Sequence, residues 1–128
     1  TWGPDSGIPS SGLQVMNTDS VGVLQNGVTL GIETYAAFKH ELNLREDQPD
    51  RIICHQVGAA HQDTLLRSIG IPKERDFTTF RYLGNIGTVS LPITAAMAAE
   101  RGVLEPGNMV GLLGIGSGLN CLMLGLKW

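Results

Sequence analysis

The chain has 128 residues, enough for one domain with a real core and too few for two. Hydrophobic residues make up 42% and charged residues 16%, as in a soluble globular protein, and a net charge of −3 without Lys/Arg runs excludes an electrostatic case for nucleic acid. No apolar stretch is long enough to span a bilayer, and the first residues lack the charged-then-apolar layout of a signal peptide. Cys54 and Cys121 lie in apolar, strand-like runs without metal-ligand spacing, so no metal is assigned; free buried thiols in a reducing cytoplasm are expected, with a disulfide as the alternative. The chain begins at Thr1 in a loop-like segment and is expected to be a piece of a longer polypeptide.

Residues 1–17 are rich in Gly, Pro and Ser and read as a loop or the remnant of a preceding segment; residues 18–128 form the domain. Thr18-Asp19 is a helix start, and Leu24, Val28, Gly31, Tyr35, Phe38 and Leu42 recur at spacings of three and four, one apolar helical stripe ending near Asn43. The glycines at 22, 27 and 31 weaken that helix and point to close packing against a neighbour. His40, in its last turn, suits the helix dipole. Arg51 to His55 reads as a short buried strand, and Gly58 to Ile69 as a helix stopped by Gly70, with His61 on its surface. Phe77 to Phe80 reads as another strand. A helix from about Thr88 to Arg101 follows, slim because of its alanines, with Pro92 tolerated only near its start. Met109 to Ile115 and Leu119 to Trp128 are strands joined through Gly116-Ser117-Gly118.

Strands separated by helices imply right-handed crossovers and a parallel sheet, whereas the last two strands are too close for a crossover and form an antiparallel hairpin. The fold class is α/β: a mostly parallel sheet with a C-terminal antiparallel hairpin strand and helices on both faces.

Several residues invite chemistry. Gly114-Ile-Gly116-Ser-Gly118 follows a strand, but a dinucleotide fingerprint needs a helix immediately afterwards, and the remaining residues read as strand. Cys54 beside His55 is not a nucleophile–base pair, because successive strand side chains point to opposite faces; Cys54 is a small buried hydrophobe. His55 sits at the C-terminal end of a strand, where open α/β sheets place their sites. Arg81-Tyr82-Leu83-Gly84-Asn85-Ile86-Gly87 presents the amide of Asn85 between two glycines just before a helix. A turn or a helix cap would also account for Asn85, and a lone strand-end histidine is often structural. His55, Asn85 and the amides of Gly116 to Gly118 all fall at one edge of the sheet.

His55-Gln56, then Gly84-Asn85 thirty positions on, then Gly116-Ser117-Gly118 resemble the C-terminal half of a thiolase-superfamily condensing enzyme of the 3-oxoacyl-acyl-carrier-protein synthase III type. The resemblance runs from Met16-Asn17-Thr18-Asp19 to Trp128. It implies an acyltransferase forming a carbon–carbon bond by Claisen condensation of thioesters in fatty-acid biosynthesis, with His55 and Asn85 as catalytic donors to an enolate oxygen. The backbone N–H of Ser117 would complete an oxyanion hole, and Gln56 and Gly58 would touch substrate. It further implies no tightly bound cofactor, acyl-CoA or acyl-carrier-protein thioesters as substrates, a homodimeric full-length enzyme, and a nucleophilic cysteine in an N-terminal half that this chain lacks, leaving it inactive alone. A missing first strand is expected to leave an open slot at the centre of the sheet, an edge that favours association. The family's usual run after the histidine is Gln-Ala-Asn and then Arg, where this chain has Gln56-Val57-Gly58 and two alanines. Leu-Gly-Asn-Ile-Gly and Leu-Leu-Gly-Ile-Gly-Ser-Gly-Leu-Asn-Cys resemble the branch that joins two acyl-CoAs without decarboxylation in olefin biosynthesis. A non-catalytic fragment keeping only the fold is the remaining alternative.

Overall fold

The computed structural model describes residues 19–116 and 118–128. Helix α1 (Ser20–Glu41) starts where the carboxylate of Asp19 accepts the Gly22 N–H at 2.9 Å, filling an orphan donor of the first turn. Strand β1 (Arg51–Cys54) leads to α2 (Ala59–Ser68), the short α3 (Phe80–Leu83) and α4 (Ser90–Glu100); the chain ends in β2 (Met109–Gly116) and β3 (Asn120–Lys127). The sheet order is β1-β2-β3, with β1 parallel to β2 and β2 antiparallel to β3. Register runs from Arg51 opposite Val110 to Cys54 opposite Leu113, and from Met109 opposite Lys127 to Gly116 opposite Asn120.

Alternation along β1 divides the core into two layers. Ile52 and Cys54 face α1 and α2, where they meet Tyr35, Phe38, Leu66 and Leu113; Ile53 faces α4 with Val110, Ala98 and Leu104. Helices therefore cover both faces, which is why a strand this short reads as a continuous apolar run. Each fully buried aliphatic side chain here contributes on the order of 1.5–3 kcal/mol relative to exposure. Gly31 serves the close approach foreseen for it: a Cβ there would lie 2.7 Å from Leu65 Cδ1 of α2. Gly27 is in ordinary contact distance of Ile115, and Gly22 serves the helix cap instead.

Two expectations are corrected. The strand expected at 77–80 does not form. Among the described residues its backbone pairing with β1 is limited to one parallel bridge, Ile52 with Asp76, and a 3.3 Å bond from Phe77 N–H to the Ile52 carbonyl. The next available donor, Thr79 N–H, is taken at 2.6 Å by the side-chain oxygen of Gln56, and the backbone turns into α3. The described sheet thus contains one parallel and one antiparallel pair. Nor is there an open slot at the centre of the described sheet, because β1 bonds directly to β2. The reading of residues 1–17 lies outside the described residues. No helix among the described residues is long and apolar enough to cross a membrane.

Candidate active site

The ladder between β1 and β2 continues one residue past β1, where His55 N–H donates to the Leu113 carbonyl at 2.8 Å. That bond fixes the backbone of His55 at the C-terminal edge of the sheet. Its half-buried ring lines an open groove of about 410 Å³, with Thr88, Leu91 and Pro92 on one side and Leu112, Gly114, Gly116 and Leu122 of the hairpin on the other. On the opposite face the same residue borders a smaller cavity with Gly27, Gly31, His61, Gln62 and Leu65. Burial, with a smaller contribution from the charge of His61, holds His55 below the ordinary imidazole range. The ring is therefore neutral at physiological pH and carries one N–H donor. Among the described residues nothing hydrogen-bonds to it.

The loop after α3 is shaped by its glycines. Gly84 has φ 60° and ψ −146°, and Gly87 has φ 68°, conformations that a Cβ makes costly. Open space surrounds both positions, so glycine is needed there for its backbone freedom and not for room. Between them Asn85 is exposed, and its Oδ1 accepts the Gly87 N–H at 3.0 Å. The Ile86 N–H donates at 3.1 Å to the buried Ser90 hydroxyl, tying the loop to the first residue of α4. The structure thus brings His55 and the Thr88–Pro92 segment to one groove. Asn85 stands on the exposed loop leading into that segment and is not part of the groove wall.

Gln56 corrects its expected role in touching substrate. It is 0% exposed, accepts from Thr79 N–H, and donates at 2.8 Å to the Thr79 hydroxyl, so it is turned into the core. The Thr79 hydroxyl in turn bonds to that of Thr94 at 2.8 Å. Gly58 is the N-cap residue of α2, with no heavy atom within 4 Å of where a Cβ would stand. Ser117, expected to offer its backbone N–H, lies outside the described residues. Its neighbours form the tight hairpin foreseen, with Gly118 at φ 75° and no helix after it, so the dinucleotide context fails. Cys54 is 2% exposed and burial drives its thiol well above its ordinary range, as befits an inert core residue. No cluster of three or more potential metal ligands occurs among the described residues.

The sequence reading missed Thr79 and Thr94, for which the only signal was a hydroxyl inside an apolar segment. His61, read as a surface residue, is half-buried, and burial lowers its pKa. Also missed was Asp76, whose carboxylate accepts from the Gln62 side-chain amide and is lifted by burial to about 6.

Over 115 residues, 90% of this chain and 33% of the relative, the sequence is 51% identical to an acyl-CoA:acyl-CoA alkyltransferase of Shewanella oneidensis. Over 89 residues, 70% of this chain and 27% of the relative, it is 30% identical to a beta-ketoacyl-[acyl-carrier-protein] synthase III of Bacillus anthracis. A crystal structure of a Xanthomonas campestris OleA variant with bound lauric acid and lauroyl-CoA superposes with a TM-score of 0.82 at 38% identity, covering 87% of this chain and 33% of that one. The chain spans about a third of the length of the acyl-CoA:acyl-CoA alkyltransferases it matches. Residues 40–128 match the family described as 3-oxoacyl-[acyl-carrier-protein (ACP)] synthase III C terminal, and with its thiolase-like half-fold the chain belongs to that family of condensing enzymes.

Proposed function

We propose that this chain is the C-terminal part of an enzyme that joins two acyl thioesters by Claisen condensation, and that both substrates are acyl-CoAs. The observation that carries the choice of substrates is the 51% identity to an acyl-CoA:acyl-CoA alkyltransferase, against 30% to a synthase III. The altered run Gln56-Val57-Gly58 supports it, since the family's asparagine at the third position is here a glycine with open space beside it.

The chemistry follows from charge development. One acyl group is held as a thioester on a cysteine supplied from outside this chain; the two cysteines present offer no substitute with the setting of a nucleophile. The second thioester passes an α-proton to a general base that, like the cysteine, is supplied from outside this chain, since the described groove lining holds no carboxylate, and negative charge accumulates on its carbonyl oxygen. Neutral His55 and the Asn85 amide donate to that oxygen, with the Ser117 N–H serving the oxyanion of the acyl-enzyme. One such preorganised donor typically accounts for about 3–4 kcal/mol of barrier. The enolate carbon attacks the acyl-cysteine carbonyl, and the cysteine thiolate leaves.

The test is to separate the half-reactions in the full-length enzyme. His55→Ala is expected to lower condensation about 10²–10³-fold while cysteine acylation proceeds normally. Equal loss of both half-reactions would show that His55 serves the cysteine instead. Decarboxylative condensation with a malonyl thioester is the second reading, favoured by the match of residues 40–128 to the synthase III profile.

A further inference from the structure

Four buried polar side chains connect the two donor-bearing segments. Gln56, Thr79, Thr94 and Ser90 are each 0% exposed, so none of them reaches solvent or a ligand in the groove. Gln56 follows His55 directly. Its Oε1 accepts Thr79 N–H at 2.6 Å, and its Nε2 donates to Thr79 Oγ1 at 2.8 Å. Thr79 is the N-cap residue of α3, the helix that ends at Gly84, and its hydroxyl pairs with Thr94 Oγ1 of α4 at 2.8 Å. One turn earlier in α4, Ser90 Oγ accepts the Ile86 N–H at 3.1 Å. Both flanks of the Asn85 loop, its entry through α3 and its exit through α4, are thereby tied to the residue that follows His55.

Buried polar groups of this kind are costly unless satisfied, and a satisfied network is rigid and specific in geometry. An apolar core would hold β1, α3 and α4 together as firmly. It would not fix their mutual position to hydrogen-bond tolerance, which is what two donors aimed at one oxygen require. We propose that Gln56, Thr79 and Thr94 are positioning residues for the condensation, holding the His55 backbone and the Asn85 loop in fixed relation. The proposal rests on the roles given above to His55 and Asn85.

Thr94→Val tests it in the full-length enzyme, because valine keeps the volume and removes only the hydroxyl. The expected result is a fall of about 10–10²-fold in kcat for condensation, as for a small misplacement of reacting groups. KM and the rate of cysteine acylation should stay within about twofold, and Thr94→Ser should recover most of the loss. Thr94→Ala removes the same hydroxyl with better helix propensity and serves if the valine variant does not fold. Wild-type condensation by a folded Thr94→Val or Thr94→Ala enzyme, with His55→Ala inactive, would overturn the positioning role and leave the donor assignment standing. If His55→Ala also condensed normally, the donor assignment itself would fail. Parallel loss of acylation and condensation would reduce the network to general support of the fold and overturn the proposal.

Discussion

At the scale of single residues, the orientation of the Asn85 amide is settled by chemistry. The Gly87 N–H can be met only by an oxygen, so Oδ1 faces the loop and the two Nδ2–H donors face outward. Aspartate at this position would keep the acceptor and lose the donors, which separates the turn from the catalysis. Asn85→Asp is expected to change stability by no more than about 0.5 kcal/mol, as for an exposed site. It should lower condensation about 10²–10³-fold. Chemical denaturation and a condensation assay on the same full-length preparation check both halves; retained activity would leave Asn85 as a turn residue only.

At the scale of elements, helix α2 meets the segment beside β1 through the Gln62 and Asp76 side chains. Gln62 Nε2 donates to Asp76 Oδ2, while Asp76 Oδ1 and Gln62 Oε1 are buried without partners among the described residues. Two buried acceptors without a donor favour a proton on the carboxyl. Burial raises Asp76 from its ordinary 3.8 to about 6, against the pull of the Gln62 bond and Lys73 and with a small push from Asp63. A carboxyl with a raised pKa in the fold stabilises fully below its unfolded pKa, and that stabilisation is lost as pH rises through the folded value. Stability is therefore expected to fall between about pH 4 and 6, by on the order of 3 kcal/mol from this group, and to contribute no further slope above that. Asp76→Asn carries a permanent donor and should flatten that slope in urea titrations across this range. An unchanged slope would show that another group titrates there.

Much at this scale is legible in the sequence. The three-and-four spacing through Tyr35 and Phe38 marks α1, the run Ile52-Ile53-Cys54 marks a strand covered on both faces, and Gly116 and Gly118 mark the hairpin. The segment at 77–80 is not legible, because what turns it is the Gln56 side chain acting from 23 residues away. Local pattern encodes strand propensity there, and a tertiary hydrogen bond overrides it. The same bond sets Gln56 apart from the contact that the family resemblance implies, and only the fold shows which way its side chain turns.

At the scale of the whole molecule, the described sheet leaves apolar surface open on β3. Leu122, Leu124 and Leu126 are 65%, 50% and 40% exposed on the face that α4 covers elsewhere. The groove beside His55 opens along that face, with Leu122 and Leu124 in its wall. An apolar strip continuous with the groove suits a surface that further protein covers, as the proposed function requires. On the proposed function both substrates are acyl-CoAs. The most direct measurement supplies the full-length enzyme with one long-chain acyl-CoA alone and follows product by mass spectrometry. The expected result is a β-keto product carrying two acyl chains, with CoA released and no CO₂ formed in the condensation. A product that appears only when a malonyl thioester is added, with stoichiometric CO₂, would contradict it.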